Sequence, residues 1–303
     1  MRSSPTFSPA NPSSSAKNPR ALVTLTLGDH YRHLFETLCR DNWSAYAARH
    51  GYDLIVFDRP LDNSSRAARR SPAWQKCLIL EQPEVLGYRQ VVWLDSDMLI
   101  NHTLAPAISE GVAETEVGAT DAYGHPTPAL FQHVLARVYA DWRRRGVRFV
   151  DNLTAAQFYS HRKLTPQPWV AHTGAMVAAP AHHAALFRRA YDTHEDMGSP
   201  EWNYEMGFLS WELVRAGVAR PLDSRFNIMV GDEIAAHYGF LATPLFAPFF
   251  APEHQATAAQ TLQRHLVRHC LKAMFAGAWF LHFTGMQDLI ERSLAMHLVL
   301  EDT

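Results

Sequence analysis

Cysteine is scarce in this sequence: Cys39, Cys77 and Cys270 are the only three among 303 residues. An odd, widely spaced set without a C-x-x-C excludes a disulfide framework and a thiolate zinc site, and it fits a reducing compartment. An excess of one charge is missing too. Lys plus Arg total 28 against 30 Asp plus Glu, a formal net charge of −2, so no general field draws the chain to nucleic acid or to an anionic membrane. The densest basic run, Arg143-Arg144-Arg145 after Trp142, reads as a solvated helix end. Long apolar runs are also absent. The most apolar segment, 270–283, contains Lys272 and His282 and falls short of the roughly 20 residues a membrane-crossing helix needs. Residues 1–20, rich in Ser, Pro and Asn, lack the apolar stretch of a signal peptide and read as a disordered tail. There is no internal repeat and no long linker after Ala21, so a single domain over 21–303 is expected. The expected location is cytoplasmic, with a membrane-peripheral position left open.

What is present is a core-forming chain, 47% hydrophobic, with strand and helix patterns in alternation. Residues 21–27 form a β-branched, aliphatic run ending at Gly28-Asp29 and read as a buried strand. Tyr31, Leu34, Phe35, Leu38, Tyr46 and Ala47 repeat at helical spacing, and Gly51 is a stop signal. Residues 54–57 are a second strand. This strand–helix–strand unit predicts an α/β fold with a mostly parallel sheet. Residues 58–71 have no periodicity and read as a loop. Pro72 opens a helix carrying Trp74, Cys77, Leu78 and Leu80, and residues 91–94 are a third strand. Further strands are expected over 117–120, 170–178 and 279–283. Helices are expected over 128–145, 181–191, 206–216 and 262–275, with an irregular aromatic and proline-rich stretch over 245–251.

The strongest chemical signal is Asp95-Ser96-Asp97, directly after the third strand. In extended chain, residues i and i+2 face the same side. Two carboxylates so placed repel unless a cation sits between them, and hard oxygen ligands suit Mg²⁺ or Mn²⁺. Open α/β sheets bind ligands at the carboxyl ends of their strands, which is where this pair lies. The competing reading is a capping Asp beside an exposed one, because a bare D-x-D is weak. A calcium loop is excluded: the sixth position from Asp95 is Ile100, where that loop needs glycine. A phosphatase with Asp95 as nucleophile stays open, although in such enzymes the motif follows the first strand of the core.

Four segments together resemble the GT-A glycosyltransferases. The likeness is greatest to the group of fungal mannan galactosyltransferases and plant xyloglucan xylosyltransferases, and more distant to the glycogenin and lipopolysaccharide galactosyltransferase group. The segments are 45–52 (AYAARHGY), 74–76 (WQK) with 92–100 (VWLDSDMLI), 172–177 (HTGAMV) and 281–285 (LHFTG). The resemblance implies a GT-A fold, a mixed and mostly parallel sheet flanked by helices. It implies an enzyme that moves a hexose or pentose from a nucleoside-diphosphate sugar, a UDP-sugar first among them, to a hydroxyl acceptor. That acceptor would be a glycan, a lipid-linked glycan or a small molecule, and anomeric configuration would be retained.

Roles follow position by position. Asp95, Asp97 and His282 would hold Mn²⁺ or Mg²⁺. Thr24 and Thr26, at the end of the first strand, would lie near base and ribose, with ordinary strand threonines as the rival reading. Lys76 would approach the donor phosphates or sugar. Ser96, His172, Gly174 and Gly285 would line the donor site, and Asp121 and Glu205 would face the sugar and its reacting carbon. Asn203 and Tyr204 stand beside Glu205, just before the helix expected from 206, where related enzymes place polar residues that face the sugar. The sequence departs from the pattern where His172 replaces an Asn, and where the lysine after the late motif is missing, with Gln287 nearby and Arg292 a substitute charge. Phe246–Phe250, Trp202 and Trp211 are candidates for an acceptor groove, or simply core. A donor-binding protein without turnover is the remaining alternative.

Overall fold

The computed structural model describes residues 18–150, 152–198, 204–238 and 266–285. β1 (Arg20–Leu25) leads to α1 (Asp29–Leu34), a π-helical turn over Phe35–Cys39, and α2 (Arg40–His50). β2 (Asp53–Phe57), a 3-10 helix over Pro72–Glu81, β3 (Gln90–Leu94), β4 (Met98–Ile100) and β5 (Val117–Asp121) follow. Then come α3 (Pro128–Arg144), α4 (Ala155–His161), β6 (Ala171–Ala178), α5 (Pro180–Thr193), α6 (Met206–Arg215) and β7 (Ala219–Pro221). β8 (Ile228–Met229), α7 (Val230–His237), a helix over 266–277 (α8) and β9 (Phe280–His282) complete the described chain.

The main sheet has the order β2-β1-β3-β6-β5-β7. β1 pairs parallel with β2 and β3, β6 pairs antiparallel with β3 and β5, and β5 pairs parallel with β7. All strands but β6 therefore point one way, as the strand–helix alternation predicts. Side chains alternate between two cores. Leu22, Val92 and Val177 pack with Phe35, Trp43 and Phe280 on one face. Ala21, Val23, Trp93 and Met176 pack with Trp74, Ile79, Phe187 and Leu209 on the other. A small second sheet, β4-β9-β8, lies beside the first core.

Three expectations change. β1 begins at Arg20, inside the segment read as tail, and Asn18 Nδ2 donates to Asp53 Oδ1 at 2.7 Å. The helix opened by Pro72 is 3-10, not α. It is buried from Trp74 through Leu80, so it has no exposed face to produce an amphipathic period. The loop over 58–71 is tied to the body by Arg70. Its guanidinium lies between Trp74 and Tyr191, 4.5 and 4.8 Å from the ring centres, and reaches Glu195 at 2.9 Å.

Candidate active site

Asp95 and Asp97 sit where the chain leaves the main sheet through β3 and enters the small sheet through β4. α2 and the turn before it fix this passage. Cys39 Sγ donates to the Ser96 carbonyl at 3.6 Å, and Trp43 Nε1 to the Met98 carbonyl at 2.9 Å. Asn42 bonds Ile100 twice: Nδ2 donates to its carbonyl at 2.7 Å, and its N–H donates to Oδ1 at 2.8 Å. On the other side, β6 falls out of step with β5, because Ala119 faces Met176 while Thr120 faces His172. Such a bulge re-aims side chains. The regular β3–β6 register continues one step past Leu94 and puts the Gly174 carbonyl 2.8 Å from the Asp95 N–H.

The first cluster centres on Lys76, which is 4% exposed. Nζ lies 2.8 Å from Asp95 Oδ1 and 2.9 Å from Glu205 Oε1. Trp93 Nε1 also donates to Asp95 Oδ1 at 2.9 Å, and Thr173 Oγ1 donates to Glu205 Oε1 at 2.8 Å. Removing an ammonium from water costs several kcal/mol. Each carboxylate at this range returns on the order of 4–6 kcal/mol at an effective dielectric near 20. One partner roughly offsets the burial and the second decides the balance. Burial pushes the Lys76 ammonium down, but Asp95 and Glu205 together hold it above the ordinary lysine range. Burial pushes the Glu205 carboxyl up, against Lys76.

The second cluster centres on His282. Its Nε2 is 3.1 Å from Asp97 Oδ1, 3.8 Å from Asp95 Oδ2 and 2.6 Å from Thr284 Oγ1. Its Nδ1 is 2.8 Å from Asn227 Oδ1. Adjacent donors about 2.1 Å from an octahedral ion stand about 3 Å apart, so Asp97 and His282 are spaced as neighbouring ligands of one cation. Among the described residues no three His, Cys, Asp or Glu side chains form a ready-made cage: Asp95 gives one oxygen to Lys76 and keeps the other toward His282. The donor set fits a hard divalent ion held by few protein groups and completed by phosphate oxygen and water.

The remaining candidates are placed as follows. Gly174 lies against both imidazoles; a Cβ there would stand 2.7 Å from His282 Cε1 and 3.0 Å from His172 Cε1. His172 Nδ1 accepts from the Gly174 N–H at 3.1 Å. Burial, with His282 and Lys76, keeps this imidazole well below the usual histidine range, so it is neutral and carries its proton on Nε2. Asp121 adjoins Thr120 at the end of β5, and its Oδ1 accepts from the Tyr123 N–H at 2.9 Å. Burial raises its carboxyl. Thr24 and Thr26 are fully buried, and Thr26 Oγ1 donates to the Phe57 carbonyl at 3.3 Å, so both side chains face the interior. Ser96 is half-buried, and Gly285 sits in a turn with φ +68°. Trp211 Nε1 donates to the Thr165 carbonyl at 3.0 Å. Trp202, Asn203, Phe246–Phe250, Gln287 and Arg292 lie outside the described residues.

Several groups escaped the sequence reading. Thr173 and Thr284 stand inside segments that carry a resemblance, and only their neighbours had drawn attention. Asn227 has no local signal at all. Tyr31, read as part of an apolar face, is 41% exposed; Tyr204, which the sequence did place beside Glu205, is 39% exposed at φ +38°. Burial raises the Tyr31 phenol, and Asp97, Tyr204 and Asp95 add to the effect. These two tyrosines border the acidic pair.

No helix among the described residues is long and apolar enough to cross a membrane. No family model matches the sequence, and no curated protein matches it. Among solved structures, the chain is similar to a glycosyltransferase involved in the glycosylation of the major capsid of PBCV-1, with TM-score 0.49 and 13% identity over 92% of this chain and 100% of that one. It is similar to the bifunctional glycosyltransferase WbbM, with TM-score 0.48 and 11% identity over 95% of this chain and 52% of that one. It is also similar to the galactosyltransferase LgtC in complex with donor and acceptor sugar analogs, with TM-score 0.44 and 12% identity over 93% of this chain and 97% of that one.

Proposed function

We propose that this chain is a glycosyltransferase that uses Mn²⁺ or Mg²⁺ and moves a hexose or pentose from a nucleoside-diphosphate sugar, a UDP-sugar first among candidates, to a hydroxyl acceptor with retention. One observation carries the reading: His282 Nε2 and Asp97 Oδ1 stand 3.1 Å apart at the carboxyl end of β3, with Asp95 beside them. When bound, the cation supplies Lewis-acid stabilisation of the charge that develops on the leaving diphosphate. The protein groups divide the other work. Asp97 and His282 hold the cation, with Asp95 Oδ2 turned toward them. Lys76 keeps the Asp95 and Glu205 carboxylates in fixed positions. Glu205 and Asp121 offer negative charge to the sugar as its ring turns cationic. Neutral His172 presents an Nε2–H donor to the sugar or a phosphate. The acceptor proton leaves with the departing diphosphate oxygen, so no separate base is required.

A thermal-shift screen tests this. Purified protein is melted with UDP-, GDP- and ADP-sugars, with Mn²⁺ or with EDTA. A ligand that binds only the folded state raises Tm, by about 2.7 kcal/mol of stability at a hundred times its Kd. The expected result is a rise with one donor class that EDTA abolishes and Asp97→Ala loses. A folded protein that no donor stabilises at millimolar concentration, but that hydrolyses a simple phosphoester, would replace this reading with the phosphatase one.

A further inference from the structure

Asn227 lies at the end of the short 3-10 helix Ser224–Asn227, distant in sequence from every segment that carries a resemblance. It is 5% exposed. Its amide bridges the two sheets: Nδ2 donates to Thr120 Oγ1 on β5 at 3.3 Å, and Oδ1 stands 2.8 Å from His282 Nδ1 on β9. A carbonyl oxygen only accepts, so this contact requires a proton on His282 Nδ1. In the neutral ring the lone pair then sits on Nε2, the atom that faces Asp97 at 3.1 Å and Thr284 Oγ1 at 2.6 Å. A threonine hydroxyl can donate to that lone pair. Thr120 Oγ1 accepts the amide N–H on the far side, which completes the bridge.

We propose that Asn227 is a positioning residue: it holds the His282 imidazole in the Nδ1–H tautomer and aims the Nε2 lone pair into the site. The metal-binding consequence rests on the function proposed above, whereas the tautomer does not. Groups that fix the tautomer of a ligating histidine are commonly worth 10–100-fold in metal affinity.

The test uses the full chain labelled with ¹⁵N-histidine. Long-range ¹H–¹⁵N spectra report which ring nitrogen carries the proton, and His282→Gln identifies the signals. The expected wild-type pattern is a protonated Nδ1 without any metal. Asn227→Leu removes the acceptor and should give a mixed or reversed tautomer, with Mn²⁺ bound about tenfold more weakly by electron paramagnetic resonance. Asn227→Asp keeps an acceptor oxygen and should restore the wild-type pattern. Melting curves confirm that each variant is folded. A wild-type ring without a proton on Nδ1, or an unchanged tautomer in Asn227→Leu, overturns the proposal. If the tautomers behave as expected and Mn²⁺ binds no variant, Asn227 keeps its positioning role and the metal-dependent function falls.

Discussion

At the scale of single residues, the chemistry depends on charges that would be unfavourable alone. Asp95, Glu205 and Lys76 form one buried unit in which the ammonium makes two carboxylates tolerable. Lys76→Met should therefore do more than remove one contact. It leaves two carboxylates close together with no counter-charge, and breaking a buried pair from one side costs about 3–5 kcal/mol. Urea unfolding should show that loss as a lower midpoint with an unchanged slope. Lys76 was expected from the sequence as a donor-phosphate contact, but its ammonium is already engaged on both sides. This difference was not legible in the residues, because Glu205 reaches Lys76 only when α6 docks on β6. The acidic pair was legible, since an apolar strand that breaks into alternating carboxylates records both position and chemistry locally. His282 was legible only within its segment, and Asn227 not at all. An asparagine that supports a ligand from another element has no spacing rule to reveal it.

At the scale of elements, the π-helical turn and α2 set the height of the acidic pair. A π turn holds one residue more than an α turn. Phe35, Cys39 and Trp43, each four apart, all face inward, as on any helical face. Such turns recur at functional sites, and the helical spacing read from this stretch could not distinguish one from regular α-helix. Asn42 acts as a substitute strand, bonding both polar groups of Ile100 as a neighbouring strand would. Asn42→Ala would leave the buried Ile100 N–H unpaired, at about 1–3 kcal/mol, while the Ile100 carbonyl keeps the His102 N–H at 2.9 Å. Hydrogen exchange should show faster exchange at Ile100, with β3 still protected. Strands β1, β3 and β6 were readable from apolar runs, and α5 and α6 from their periodicity. β4, β7 and β8 were not, since two or three residues cannot display a period and their pairing partners lie far along the chain. Helices α4 and α7 also passed unnoticed, being short and flanked by weak signals.

At the scale of the whole molecule, burial of histidine shapes the response to acid. His172, His183, His194 and His50 are all held below the ordinary value near 6.5, each chiefly by burial. The folded state then binds fewer protons than the unfolded chain once pH drops below about 6.5, so stability present at neutral pH is lost as pH falls. The carboxylates held low, among them Glu195 and Glu212, act in the same direction only below about 4.5. The carboxyls raised by burial, Asp232 to about 6 with Glu205 and Asp121, act in the opposite direction, so the histidine share is read as a difference: between pH 7 and pH 5, His172→Asn should lose less Tm than the wild type. The architecture has a further consequence for how the chain can vary. His282 opposes Met98 in a register fixed by strands of only three residues, and the Phe283 N–H closes on the Asp97 carbonyl at 3.0 Å. A strand shifted by one residue presents its opposite face. A single inserted residue in β4 or β9 would thus erase the histidine from the site without altering any residue that touches it. Insertions and deletions that keep the site should therefore fall in the loops beyond these two strands, which act as a ruler for the gap between its acid and its imidazole.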